Sequence, residues 1–576
     1  MAGEIDVIGT SAIALFSLRV HRGDGMALLG MDWRGGPPPA DFVGFSIEYR
    51  PPGSTKFLAL GNRLTFATPP SNVGSKPTSS LFAPIQKFRW VHFPYDAERA
   101  GEYRYRVRPA FMDGSRAISW GDPQEVGLEL RRETYPGLLN VAYARGFVSS
   151  QAFVDRYESD GPIATLLPSA ADAGLTFVPT HPKTKAALAW MGFEARSAIL
   201  EVLDEAIADP TAEVRVVAYD LNEPEIVHRL EQLATRLWIV IDDSAAHGKT
   251  GSAEGQAAAR LAATAGPSHV KRQHMGNLQH NKTIVVEGQA VRAVVCGSTN
   301  FTWRGLYVQA NNALVLRGEQ AARVFRTAFR DYWNHGTAAT FGATDSTRWR
   351  DLALGDLDAR VSFSPHAATN ARLGSVAADI GRAASSMFYS LAFLHQTTGP
   401  VRDAVATATA NPKVFVYGMA DRQIGGLDLQ LPNGNIAPVR PEALTANVPE
   451  PFKSEPTGLS GGAGTRMHHK FIVLDFNLAS ARVYTGSYNY SGPADRKNGE
   501  NLIRIRDRRV AVSYMVEALR LFDHYHFRVK QLQAPPAGGS GRSGGFHLQE
   551  PAPGKDPWWL DDYTVPIKIR DRKLFS

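Results

Sequence analysis

Two stretches of this chain repeat one arrangement of residues, and the repetition constrains the fold more than any bulk property does. The first reads HNKTIVVEGQAVRAVVCGSTNFTWRGLYVQANNALVL and the second HHKFIVLDFNLASARVYTGSYNYSGPADRKNGENLIRI. His280, Lys282 and Glu287 match His468, Lys470 and Asp475 at a constant offset of 188 residues. Gly297, Ser298, Asn300 and Asn312 match Gly486, Ser487, Asn489 and Asn501 at 189, one residue having been added in the turn between. Each copy is HxK, an apolar strand, an acid, a turn, a second apolar strand, GSxN and a further strand. Two such aligned sets arise by chance well below ~1 time in 1,000, so the pair is the signal of an internal duplication.

A single HxK carries almost no information. His181/Lys183, His247/Lys249 and His269/Lys271 have the same spacing, and even Glu254 follows His247 at the right distance. No apolar strand follows "HGKTGSAEG", and the three are expected to be surface loops.

The duplicated spacing has a direct physical reading. Residues i and i+2 of a strand project from one face, so each histidine shares a face with its lysine. The next strand returns antiparallel and ends at GSxN, which sets Ser298 and Asn300, or Ser487 and Asn489, beside the pair. Gly297 and Gly486 permit a sharp backbone turn there. Two copies about a pseudo-twofold give two imidazoles facing across a pocket lined by two lysines and two asparagines. That set suits a phosphodiester: the ammonium groups and amides screen its charge, and histidine serves as nucleophile, acid or base near neutral pH. Ser298 and Ser487 are read as buttresses rather than nucleophiles.

The motif pair resembles the signature of the phospholipase D superfamily, HxKxxxxD followed by GSxN, present twice in most members. The resemblance covers roughly residues 136–533. It implies two α/β/α repeats with mixed sheets, packed so that both motifs meet at one site. It also implies two-step, metal-independent chemistry with no cofactor: one histidine becomes a phosphohistidine, and the other protonates the leaving oxygen and then activates water. The copies differ at two places. Glu287 stands where the family has aspartate, tolerable if that acid buttresses a turn. Glu500 in "NGENL" stands where the first copy, "QANNA", has Asn311. Family structures imply that such an acid orients an imidazole across the pseudo-twofold, so Glu500 is assigned to His280, making His280 the nucleophile and His468 the general acid. Asn311 and Asp475 are supporting residues, and no metal ligand set is expected.

The rest of the chain fits a multidomain reading, since 576 residues exceed one hydrophobic core. Residues 1–132 alternate in the manner of strands, closed by Pro/Gly and Asp-Gly turns in "FVGFSIEYRPPG" and "GEYRYRVRPAFMDG". They resemble a fibronectin type III or immunoglobulin-like β-sandwich that positions or recruits a protein partner. Residues 133–345 and 346–533 hold the two repeats. Residues 534–576 begin as a Gly/Pro/Ser-rich tether and end in an aromatic tail that docks back through Trp558 and Trp559. "SAAHGKTGSAEGQAAARLAATAGPSHVKRQHMGNL" before His280 and "SGGAGTR" before His468 read as covers over the site or as ordinary surface loops.

Bulk properties then narrow the partner. The single cysteine, Cys296, lies in the apolar run "AVVCGS", reads as a buried thiol, and leaves no intramolecular disulfide or thiolate-rich metal site. The acidic start and the lack of an apolar run of ~18 residues point to a cytoplasmic chain with no integral membrane span. The formal net charge of +7 leans towards polyanions. Nucleic acid therefore stands ahead of phospholipid as the phosphodiester. A non-catalytic phosphate- or nucleic-acid-binding protein is the reading of another class. Substrate, oligomeric state and the role of residues 1–132 are open at this point.

Overall fold

The computed structural model describes residues 5–533 and 547–576, apart from 95–96, 98, 131–132, 147–148, 395–396, 422–435 and 440–465. The chain divides into two compact units. One is Met1–Arg132 with Gln430–Asn435 and Met515–Ser576; the other is Glu133–Leu429 with Ile436–Tyr514. Mixed and antiparallel sheets with helices build them.

The first unit holds two antiparallel sheets. Asp6–Ile8, Phe16–Arg22, Ala27–Trp33 and Arg89–His92 form the first in that order. Leu58–Ala59, Phe42–Arg50, Glu102–Met112 and Ile118–Trp120 form the second, with Gln124–Glu129 also paired to Glu102–Met112. The period-two pattern of these strands sends Phe16, Leu18, Val20, Phe45, Ile47, Tyr103, Tyr105 and Val107 into one hydrophobic core. Trp559 belongs to the same core, and Trp558 packs on it. The indole N–H groups of Trp558 and Trp559 donate to the carbonyls of Phe42 and Pro39 at 2.9 and 3.3 Å. Further along the tail, Arg89 donates to Asp571 at 2.7 Å. The tail is thus part of this unit's core, and Trp559→Ala is expected to cost about 3 kcal/mol of its stability through the cavity left behind. A lowered denaturation midpoint followed by the near-ultraviolet signal checks this; an unchanged midpoint contradicts it.

The second unit holds two mixed sheets with one strand plan. The first runs Leu139–Tyr143, Asn312–Arg317, Arg292–Gly297, Lys282–Glu287, Glu213–Ala218, Leu237–Ile241, Val270–Arg272. The second runs Asp358–Ser364, Glu500–Arg506, Arg482–Gly486, Lys470–Leu474, Ser386–Leu391, Phe415–Met419, Ile436–Val439, with the short strand Arg350–Asp351 added outside Asp358–Ser364. In each, the strand opened by the motif lysine is central, antiparallel to both neighbours, and built of β-branched and apolar residues buried on both faces. Helix Glu319–Asn334 packs on the first sheet, and its Phe325 and Tyr332 rings meet Phe363 of the second.

Gly297 and Gly486 end the second motif strands with φ of +125° and +120°. A Cβ on either would strike the carbonyl oxygen of Asn312 or Asn501 on the paired strand, so the backbone here admits glycine alone.

Two sequence expectations need correction. His181 and His247 are buried rather than on surface loops, and His269 is half-buried, stacked on Trp238 with ring centroids 3.9 Å apart. The segment before His280 is not a loose cover: it contains helix Ala253–Ala265 and contributes the edge strand Val270–Arg272 to the sheet. "SGGAGTR" lies outside the described residues except for Arg466, as does much of the tether. Cys296 is buried, and burial pushes its thiol pKa up.

Candidate active site

The two motifs meet because the halves exchange backbone hydrogen bonds. Ala310 N donates to Arg466 O at 2.8 Å and His468 N donates to Ala310 O at 3.0 Å; Gly499 N donates to Leu278 O at 2.8 Å. Ala310 precedes Asn311 and Gly499 precedes Glu500. Each exchange therefore delivers the residue that differs between copies to the opposite histidine.

His280 Nδ1 lies 3.2 Å from Glu500 Oε1. His468 Nδ1 lies 3.0 Å from Asn311 Oδ1 and 3.2 Å from Ser298 O. These partners fix the tautomers, since a ring nitrogen facing oxygen acceptors must carry the proton. Both rings then present an unprotonated Nε2. Lys470 Nζ donates to His468 Nε2 at 3.0 Å and to His468 O at 2.9 Å; Lys282 Nζ donates to His280 O at 2.6 Å.

The supporting residues are locked in turn. Asn311 donates through Nδ2 to Gly305 O at 3.0 Å, which turns its oxygen to His468. Ser298 Oγ donates to Asn311 Oδ1 at 2.9 Å. Ser487 Oγ accepts from Asn501 N at 3.0 Å, just as Ser298 Oγ accepts from Asn312 N at 3.1 Å. Glu500 accepts from Asn489 N at 2.8 Å and from Asn498 Nδ2 at 2.9 Å. Asn300 donates through Nδ2 to Asp220 Oδ2 at 2.5 Å. Neither acid of the HxK motifs touches the imidazoles. Glu287 pairs with Arg215 and Arg326 at 3.2 and 2.9 Å, and Asp475 holds backbone N–H groups at the start of the neighbouring strand.

Burial sets the electrostatics. His280 and His468 are each 4% exposed, and both lysines are buried. Burial, followed by Lys282, pushes His280 down to about 4 against the pull of Glu500. Burial and then Lys470 hold His468 well below the usual histidine range. Burial brings Lys282 down to about 7, and burial with Lys282 beside it depresses Lys470. Burial works to raise Glu500, but His280 and Asn498 outweigh it and hold it below the ordinary carboxylate range. The lowered lysine pKa values reflect the cost of holding positive charge in this buried site, a cost that an entering anion reduces.

Several residues of the site escaped the motif reading. Asp242 and Asp421 end equivalent strands, and each accepts from the backbone immediately before a motif histidine. Gln279 N donates to Asp242 at 2.6 Å, and Met467 N to Asp421 at 3.0 Å. The repeated sequence cue was an apolar strand closing on an acid, in "LWIVIDD" and "KVFVYGMAD". Tyr219 packs its ring 4.6 Å from His280 and 4.7 Å from His247. Burial opposes charge on His247, but bonds to Asp220 and Asp242 lift its pKa to about 11.

Comparison with known proteins bears on the first motif. Residues 203–333 match the family model described as cardiolipin synthase, PLD-like domain, a range that includes His280, Lys282 and Asn300. A 48-residue stretch is 44% identical to a protein named phospholipase D from Rickettsia prowazekii, covering 8% of this chain and 22% of the relative. The match thus spans about a fifth of the curated relative's length. Nuc from Salmonella typhimurium, titled a phospholipase D family member, is 29% identical over 24% of this chain and 87% of its own, with a TM-score of 0.20. Phosphatidylserine synthase from Haemophilus influenzae Rd KW20 is 14% identical over 66% of this chain and 93% of its own, with a TM-score of 0.36. Scores this low carry no residue roles across. Residues 203–333 thus match a phospholipase D-like domain, and this match holds the first of the two motifs.

Proposed function

We propose that this chain is a phosphodiesterase that works through a phosphohistidine and needs no metal ion for the chemistry. The observation that carries the reading is the asymmetric pairing of two imidazoles from distant motifs, His280 with a carboxylate and His468 with an amide. Glu500 strengthens the lone pair at His280 Nε2 and offsets the charge that forms when this ring is phosphorylated. Asn311 offers His468 no such compensation, so His468 in its protonated form gives up its proton more readily. In the first step His280 Nε2 forms a bond to phosphorus, the bond to the leaving oxygen breaks, and His468 protonates that oxygen. In the second, water attacks phosphorus, His468 takes its proton, and the N–P bond breaks to release a phosphomonoester. The substrate's negative charge raises the depressed pKa of His468 on binding and so arms it as the acid. Lys282, Lys470, Asn300 and Asn489 hold the non-bridging oxygens.

In this reading residues 133–345 and 346–533 are α/β/α repeats about a pseudo-twofold, residues 1–132 are a fibronectin- or immunoglobulin-like β-sandwich, and residues 534–576 are its tether and docking tail. The substrate class we favour is nucleic acid, on the net charge of +7. The Rickettsia relative named phospholipase D favours a phospholipid instead. Wild-type enzyme in excess chelator, offered an aryl phosphodiester, plasmid, single-stranded DNA, RNA and mixed lipid vesicles, decides between them. Cleavage of DNA or RNA supports the favoured reading. Head-group release from vesicles alone transfers it to the lipid, and inertness towards all five leaves a phosphate-binding protein.

The pH profile follows from the same groups. His280 acts as a nucleophile only above its pKa of about 4, and Lys282 attracts the anion only below its own of about 7. Hence, for a nitrophenyl phosphodiester whose leaving group needs no proton, kcat/KM, which reports the free enzyme, is expected to peak between those values and to fall on both sides. Lys282→Arg should shift the alkaline limb upward, since a guanidinium keeps its charge. An alkaline limb left in place by that substitution contradicts the assignment.

A further inference from the structure

Beside the first motif lies a cluster that this chemistry leaves unused. Asp220, His247 and Glu254 each bring one ligand atom within 4.8 Å of the others. Asp220 lies just beyond strand Glu213–Ala218, His247 follows strand Leu237–Ile241, and Glu254 sits in the first turn of helix Ala253–Ala265. Asp242 Oδ2 stands 2.8 Å from His247 Nδ1 and turns Nε2 to Asp220, 2.9 Å away. A carboxylate behind Nδ1 is the usual support of an imidazole that ligates through its other nitrogen. Glu254 is 2% exposed, and the bond that Leu221 N makes to it is 3.5 Å long, too long to satisfy a buried carboxylate.

A second observation comes from outside the three. Asn300 is 5% exposed and directs its amide at Asp220, yet its Oδ1 is buried with no hydrogen-bond partner among the described residues. The same amide turned end for end places an oxygen, a ligand for a cation, where Nδ2 now stands. Among the described residues, the second half has no counterpart of Asp220. Ala218 pairs with Lys282 as Leu391 pairs with Lys470, so the equivalent of Asp220 is Phe393.

We propose that Asp220, His247 and Glu254, with Asn300 Oδ1, bind one divalent cation of the Mn2+ or Zn2+ class, Asp242 supporting His247 from behind. One imidazole nitrogen among carboxylate and amide oxygens is the donor set such ions accept. The ion fixes Asn300 and takes no part in the bond-making steps.

The test does not depend on turnover. The full chain, stripped with chelator and dialysed, is titrated with Mn2+ and followed by electron paramagnetic resonance of the free ion. One ion per chain is expected, with binding at least tenfold weaker in Glu254→Gln and in Asp220→Asn. Mn2+ should also raise the thermal midpoint of the wild type but not of Glu254→Gln, whose ion-free midpoint shows that it folds. Failure of the wild type to bind Mn2+, or equal binding by the folded Glu254→Gln variant, overturns the site.

Discussion

Turnover of a bis-aryl phosphodiester is expected to fall by about 10⁴-fold or more in both His280→Asn and His468→Asn, but the two variants should fail at different steps. His280→Asn removes the atom that attacks phosphorus, so no phenolate is released beyond background. His468→Asn removes the acid and base. A nitrophenolate leaves without a proton, so the first step survives, and one equivalent of phenolate per enzyme should appear in a burst before the reaction stalls. The expectation rests on the different partners of the two rings, Glu500 for His280 and Asn311 for His468. Stopped-flow absorbance reads both outcomes. A burst in His280→Asn and none in His468→Asn would exchange the roles. As a supporting check, Glu500→Gln added to His468→Asn should slow the burst while leaving its stoichiometry at one.

The acids of the two motifs should separate just as sharply, this time in stability. Asp475 is buried with φ of +56° and accepts from Ala384 N, Ser385 N and Ser386 N at 2.9, 2.8 and 3.3 Å and from Arg482 at 3.3 Å. Asp475→Ala strips those backbone donors of their acceptor and removes one of the two carboxylates at the buried Arg482 guanidinium, at about 3–5 kcal/mol. Glu287 instead pairs with Arg215 and Arg326, near the surface, and Glu287→Ala should cost about 1 kcal/mol or less. Hydrogen exchange of strand Ser386–Leu391 reads the first directly. Its amides should lose protection in Asp475→Ala, while strand Glu213–Ala218 keeps its protection in Glu287→Ala. Equal losses would contradict the distinction.

The sequence carried much of this because the motif is short-range. His–x–Lys, the strand that follows and GSxN lie within two neighbouring strands, where period-two geometry alone sets the faces. The pairing of Glu500 with His280 came from the family resemblance, applied to the position where one copy has an acid and the other Asn311. What escaped reading was long-range. His247 looked like one more surface HxK because its partner Asp220 comes from the end of strand Glu213–Ala218, which only parallel pairing brings beside Leu237–Ile241. The burial of His181 follows the same logic: its ring meets the carbonyls of Tyr157 and Gly161, which spacing along the chain does not reveal. The segment before His280 was misread because its small residues carry little periodic signal, although Ala257, Leu261 and Ala265 do form a buried helical stripe.

The measurement closest to the central claim is the mass of enzyme quenched in alkali during turnover of an aryl phosphodiester with chelator in excess. The account predicts a phosphoryl adduct on His280, faint in the wild type and near one equivalent in His468→Asn. An adduct mapped to His468, or none in a variant that still releases its burst of phenolate, would contradict it.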